Sequence, residues 1–206
     1  MSTMTVEEVA PAPRMRSADR REQILVAATA VFGAKTYVGT TTDEVARAAG
    51  VSQPYVVRLF GTKEKLFVEV IERAYARLLA EFRAALPGSV EGRAERMGTA
   101  YTSLLAERGM LPVIASSTAL GGEPVIGRVA RKGFSEIWRF VREDAGFTEE
   151  QTRQFMATGM LINAIVGLRL TGDYGDELSA TEIFDACFPD GVAKLRTFMP
   201  GTDEPW

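Results

Sequence analysis

Between Thr42 and Leu59, apolar residues stand at Val45, Ala49, Val51, Val56 and Leu59, with the small Ala46 and Gly50 between them. These are the positions at which two helices crossing at a tight turn must touch. Ala46 lets the second helix approach closely, and Gly50 can adopt the left-handed conformation that a turn of three to four residues demands. Caps frame the segment. Thr41-x-x-Glu44 is a capping box, in which a threonine oxygen and a glutamate carboxylate satisfy the orphan amides of a first turn. Ser52 and Pro54 suit the start of the next helix, where the missing proline N–H is no loss. The spacing predicts a helix-turn-helix; a three-helix bundle with no nucleic-acid role is the alternative.

Periodicity extends the helical reading. Ile24, Leu25, Ala28, Val31 and Phe32 form one apolar stripe of a first helix over 17–34, broken at Tyr37-Val38-Gly39. The second helix ends at Gly50, and Phe60-Gly61 closes the third. From Thr62, apolar residues at Leu66, Val70, Ile71, Ala74, Leu78, Phe82 and Ala85 predict a long fourth helix, stopped by Leu86-Pro87-Gly88. Further helices are expected over 90–107, 110–119, 124–145 with Pro124 at its start, and 148–171. A last pattern, 179–199, is interrupted by Pro189-Asp190-Gly191. No stretch alternates with period two for long enough to make a strand. The expected fold class is therefore all-α, about nine helices: a tail over 1–17, a three-helix helix-turn-helix head over 18–62, and a helical body over 63–206.

The chain has 206 residues and no histidine, which removes Ser-His and Cys-His nucleophile activation and every His-containing zinc site. No phosphate-cradling glycine loop is present. An enzyme is not expected, and neither is a metal or a cofactor. The longest apolar stretches, 24–34 and 160–168, fall short of the roughly 18 residues of a membrane span. The opening residues lack the apolar run of a signal peptide, so a cytoplasmic protein with no membrane partner is expected. The formal charge of −3 is unevenly spread. Residues 14–65 carry nine basic side chains against five acidic ones, leaving −7 for the remainder. A basic head on an acidic body suits a polyanion partner, although a solvated surface would look the same.

The residues RREQILVAATAVFGAKTYVGTTTDEVARAAGVSQPYVVRLFGTKEKLFVEVI, 20–71, resemble the DNA-binding head of the TetR family of transcriptional regulators. The resemblance implies a homodimer with the third helix in the major groove and the last two helices at the dimer interface, and it implies that the body over 63–206 is the ligand-binding and dimerisation domain. Two departures stand out. Thr36 occupies a place where the family commonly has glycine, and a threonine there strains a left-handed C-cap. Pro54 and Val57 replace a Gly-x-x-Tyr pattern, so that Tyr55 is the candidate substitute for the family's phosphate-contacting tyrosine.

On the third helix, inward Val56 and Leu59 leave Gln53, Pro54, Tyr55, Val57 and Arg58 for DNA. Gln53 and Arg58 are the expected base readers, since glutamine pairs with an adenine edge and arginine with guanine O6 and N7. Thr40, Thr41, Thr42, Tyr55 and Lys63 are expected at phosphates, and Arg14, Arg16 and Arg20 along the backbone or in the minor groove.

In the body, Phe134, Trp138 and Val141 cluster on one helix and Met97, Tyr101 and Leu104 on another. Core packing accounts for both clusters. The resemblance adds the expectation of a cavity between them, whose apolar lining would suit a small apolar or aromatic effector. Asn163 is equally a polar anchor in that cavity or a cross-dimer hydrogen bond. Phe155, Met156, Gly159, Met160, Asn163, Ile165 and Val166 are too apolar all round for one buried face, and are expected at the dimer interface. The expected function is a repressor released by its effector from a palindromic double-stranded operator; a ligand-independent or architectural DNA-binding protein is the alternative.

Overall fold

The computed structural model describes residues 17–188, and within them the protein is built from helices alone. The head comprises α1 (Ser17–Gly39), α2 (Thr42–Ala48) and α3 (Gln53–Phe60). The body comprises α4 (Lys63–Ala84), α5 (Arg93–Ser103), α6 (Met110–Ala119), α7 (Ile126–Arg139), α8 (Glu149–Leu168) and α9 (Leu178–Cys187). The expected tail with Arg14 and Arg16, and the interruption at Pro189-Asp190-Gly191, lie outside the described residues.

The head closes around Ile24, Ala28 and Phe32 of α1, Val45, Ala46 and Ala49 of the α2 region, Val56 and Phe60 of α3, and Leu66, Phe67 and Val70 of α4, all buried. Phe32 lies tilted on Phe67 at 4.7 Å between ring centroids, and Tyr37 completes a three-ring cluster at 5.0 Å from Phe67 and 6.5 Å from Phe32. Burying a ring such as Phe32 contributes about 1.5–3 kcal/mol. The turn between α2 and α3 is carried by Gly50 at φ 64, a left-handed position that a side chain disfavours. Leu59, expected in the core, is only half-buried, and the neighbouring Phe60 fills the place. A helix turns 100° per residue, so one step in phase exchanges the two.

The first helix runs past its predicted end, but not smoothly. Thr36 interrupts it with φ 58 and ψ 177, a conformation outside both the right- and left-handed helical wells. The strain expected at Thr36 is present, therefore, in an extended positive-φ form rather than as a left-handed cap. Downstream, α5 tightens into a 3₁₀ turn over Leu104–Ala106, and α7 starts at Ile126 rather than Pro124. The predicted helix to 145 ends as a π-helical turn over Phe140–Asp144.

Head and body meet at two places. α4 starts beside α3 and runs 22 residues into the body, about 33 Å at 1.5 Å per residue. α1 also lies against the start of α6, and there two glycines face each other. A Cβ on Gly33 would stand 2.5 Å from the Gly109 Cα, and one on Gly109 would run into the Thr29 carbonyl. The two backbones are in direct contact.

Candidate functional site

The head presents α3 on a rigid base. Thr41 Oγ1 accepts from the Glu44 amide at 3.2 Å while Glu44 Oε2 accepts from the Thr41 amide at 2.9 Å, the reciprocal capping box expected from the sequence. Lys35 of α1 pairs with the same carboxylate. The hydrogen bond from Lys35, helped by the Thr41 amide and hydroxyl, holds the Glu44 pKa down at about 2. Gln23 donates to the Ala49 carbonyl at 2.9 Å, closing α1 onto the turn.

On α3, Val56 and Phe60 point inward, Pro54, Val57 and Arg58 are exposed, and Gln53 and Tyr55 are half-buried. Gln53 Nε2 donates to Thr42 Oγ1 at 3.3 Å, so two of the expected DNA contacts hold each other at the N-termini of α2 and α3. The Arg58 guanidinium lies 4.9 Å over the Tyr55 ring. Arg58 and Tyr55 thus form one stacked pair on the outer edge of α3. Arg20 donates to Gln23 at 2.9 Å on the adjoining surface of α1.

Two expected phosphate contacts sit elsewhere. Thr40 is buried, and its hydroxyl donates to the Thr36 carbonyl at 2.7 Å, so it faces the interior. The Thr36 break leaves carbonyls without helical partners, and Thr40 satisfies one of them. The Lys63 ammonium donates to the carbonyls of Tyr37 at 3.0 Å and Thr40 at 3.1 Å and lies 4.5 Å over the Tyr37 ring. Lys63 is a clamp between α4 and the end of α1. The exposed cation beside it is Lys65, which sequence reasoning passed over. Its place one turn into α4, with its amide capped by Thr62 Oγ1 at 3.1 Å, was the available clue.

The body holds a half-open cavity of about 740 Å³ between α4, α5, α7 and α8. Tyr75, Leu78 and Phe82 form one wall and Ile137 and Phe155 another. Of the expected ligand contacts, Tyr101, Phe134 and Asn163 line it. Met97 and Leu104 do not: both are buried in the packed core. Trp138 faces outward, 38% exposed, over a shallow surface depression with Arg139 and Arg142. Gly133 offers no space for a cavity-filling leucine, because the Tyr75 ring lies directly on its Cα.

The expected dimer face also divides. Phe155, Met156, Gly159, Met160 and Asn163 line the cavity, and Ile165 and Val166 are buried in the core. Met160 reaches only the rim of the cavity and is itself exposed, and with Ala157, Leu161, Ala164 and Leu168 it forms the outward stripe of α8 at helical spacing. Asn163 accepts a hydrogen bond from Tyr101 Oη at 2.6 Å, which places it at the cavity and not on the outer stripe. Burial raises the pKa of Tyr101, an effect tempered by the Asn163 bond, and burial likewise raises that of Tyr75.

A helix-turn-helix head joined by one long helix to an all-helical body with an internal cavity defines a class of DNA-binding regulators. Residues 24–70 match the family model described as bacterial regulatory proteins, tetR family. The chain is 35% identical over 80 residues to the HTH-type transcriptional activator FasR of Mycolicibacterium smegmatis, 39% of this chain and 36% of that protein. It is 38% identical over 64 residues to the HTH-type transcriptional repressor NicS of Pseudomonas putida, 31% of this chain and 30% of that protein. These matches span about a third of the length of either relative. The fold extends further. A TetR-like transcriptional regulator from Rhodococcus sp. RHA1 superposes with a TM-score of 0.61 at 19% identity, covering 90% of this chain and 96% of that one. A tetR-family transcriptional regulator from Streptomyces coelicolor gives 0.58 at 20% identity over 89% and 82%. Residues 24–70 thus form a DNA-binding head of the tetR-family kind, and the described chain has the fold of these solved regulators. Among the described residues no helix is long and apolar enough to cross a membrane.

Proposed function

We propose that the protein is a repressor that binds a palindromic operator as a homodimer and is released by a small apolar or aromatic effector held in the body cavity. The observation that carries this reading is the shared helix: α4 begins beside α3 and supplies Tyr75, Leu78 and Phe82 to the cavity wall. A ligand that moves that wall tilts α4. Two heads must reach major-groove faces about 34–36 Å apart, so a small tilt in each protomer spoils the fit. Linkage requires DNA to weaken ligand binding by the same factor, typically about 5–150-fold for a coupling of 1–3 kcal/mol.

The outer stripe of α8 is the proposed seat of the second protomer, because its exposed alanines allow two helices to approach closely and its Leu161 and Leu168 would otherwise stay in water. Arg58 and Gln53 read bases, while Thr41, Thr42, Tyr55 and Arg20, with the newly recognised Lys65, contact phosphates. A ligand-independent architectural role leaves the cavity without a use.

The test is selection of bound genomic fragments, followed by titration with salt and small molecules. Symmetric fragments should be enriched, with log K falling linearly against log salt by several units of slope. Small apolar and aromatic compounds should release the DNA. A flat salt response, or binding no tighter to selected fragments than to random duplex, would sink the proposal. A reporter that rises when the protein is supplied would replace repression with activation.

A further inference from the structure

Resting on the reading of the body cavity as an effector site, we infer the chemical class of the effector: an uncharged ring compound carrying one carbonyl oxygen. Three features of the cavity lead there. The first is its charge. Among the described residues no lysine or arginine lines it, the chain has no histidine, and the two charged side chains at its edge, Glu91 and Glu150, are acidic and exposed. A carboxylate or phosphate taken into such a space would lose its hydration and meet no cation, which is heavily unfavourable.

The second feature is shape and surface. Tyr75, Phe82, Tyr101, Phe134, Phe147 and Phe155 contribute rings from every side of the space. Phe155 already stands edge-on to Phe147 at 5.7 Å and to Phe82 at 5.5 Å, the arrangement in which a further ring gains most from its neighbours. A volume of about 740 Å³ falls within the roughly 300–1,000 Å³ of sites for drug-sized ligands.

The third feature fixes the polar group. The Tyr75 side chain is 3% exposed, lines the cavity, and its hydroxyl has no hydrogen-bond partner. Ser117, whose proton goes to the Ile114 carbonyl at 2.7 Å, lies near the Tyr75 hydroxyl without making a hydrogen bond to it. Asn163 spends its carbonyl on Tyr101 and has its amide nitrogen left over. Inside the mouth, where Glu91, Glu150, Gln151, Gln154 and Thr158 are exposed to solvent, the cavity offers two hydrogen-bond donors, the Tyr75 hydroxyl and the Asn163 amide, and no charge, with both phenols held neutral by burial. A carbonyl oxygen, with two lone pairs, accepts from both.

A matched set on one ring separates these features: 2-acetylnaphthalene, 2-ethylnaphthalene and 2-naphthoate, titrated calorimetrically into the DNA-free protein. The ketone should bind about 2–10-fold tighter than the hydrocarbon, the range of a net neutral hydrogen bond. Naphthoate should bind at least tenfold weaker than the ketone. Tyr75→Phe should bring ketone and hydrocarbon closer together while leaving hydrocarbon affinity unchanged, and Asn163→Leu should do the same. Naphthoate binding as tightly as the ketone overturns the inference, as does a preference that both variants retain. Failure of all three compounds to bind overturns the ring-ligand class. Melting temperatures of the variants confirm folding; a Tyr75→Phe protein that is more stable with ligand preference intact assigns that hydroxyl no role in recognition and overturns the inference. Binding in the predicted order without release of DNA leaves the ligand class standing and refutes the effector reading instead.

Discussion

Replacing Thr36 by glycine should stabilise the protein. The residue sits at φ 58 and ψ 177, and a β-branched side chain in that region is held there only because the structure around it leaves no choice. The surrounding constraints are visible: the Thr36 carbonyl is tied to the Thr40 hydroxyl, and Lys63 fixes the carbonyls of Tyr37 and Thr40. Such a conformation costs about 1–3 kcal/mol in a non-glycine residue. The Thr36 side chain is exposed, with no hydrogen bond from its hydroxyl among the described residues to offset that cost. Glycine removes the strain and returns about 0.5–1 kcal/mol through the freedom it adds to the unfolded chain. The net gain is about 0.5–2 kcal/mol. For a chain of this length each kcal/mol moves the melting temperature by about 2–4 °C, so a rise of about 1–8 °C is expected. Thermal unfolding followed by calorimetry reads it directly. Thr36→Ala is the control, because it keeps the Cβ that clashes and should gain little. A melting temperature that falls in Thr36→Gly, or rises equally in both variants, would refute the assignment of strain to this residue.

Within the head, Arg58→Ala should relax base preference at one operator position by about 1–3 kcal/mol, whereas Lys65→Ala should weaken all sequences alike; equal losses on every base variant, measured by competition binding, would remove Arg58 from base readout. Lys63→Met should lower the melting temperature, since it frees two carbonyls and a ring contact, and a variant of unchanged stability would show that the clamp contributes nothing. Because the folded-state pKa of Glu44 lies near 2, below its ordinary 4.5, the contribution of its carboxylate to α2 is complete above about pH 4.5 and disappears as pH falls toward 2. Amide exchange in α2 should rise over that window and lose its pH dependence in Glu44→Gln; a Glu44 carboxyl titrating near 4.5 by NMR would contradict the geometry. Leu161→Glu or Ala164→Glu should give monomers by light scattering, and intact dimers would place the interface away from α8.

The head was readable from sequence because its determinants are local. Thr41 and Glu44 stand three residues apart, and Gly50 marks the turn by its own backbone freedom. Lys63 and Thr40 were misplaced because their partners exist only once α1 breaks at Thr36, an event that no spacing rule encodes. The body was readable to the level of helices and no further. α8 carries apolar residues all round, so sequence periodicity could not separate Met156 and Asn163, which line the cavity, from Leu161 and Leu168, which look outward. The same ambiguity put Met97 and Leu104 in the cavity with Tyr101, whose helical face they share, although both are buried in the core beside it. Trp138 was grouped with Phe134 by helical spacing, and the two are equally exposed on one surface depression, but only Phe134 also reaches the cavity.

The bare meeting of Gly33 and Gly109 also governs how the molecule moves. Joints packed by side chains have play in them: a rotamer can turn, a methyl can slip, and a small push is absorbed before it reaches the far side. Backbone against backbone has no such slack. α6 touches the cavity through Ile114, little more than one helical turn from Gly109, so a displacement that started there would be passed to α1 with little slack. α1 is tied in turn to the base of the reading helix through Gln23 and Ala49. The head is therefore gripped at two points, by the long shaft of α4 and by this tight bearing. Enlarging either glycine would jam the bearing, while the stiffness of the pair as it stands lets ångström-scale changes in the body register at the surface that meets DNA.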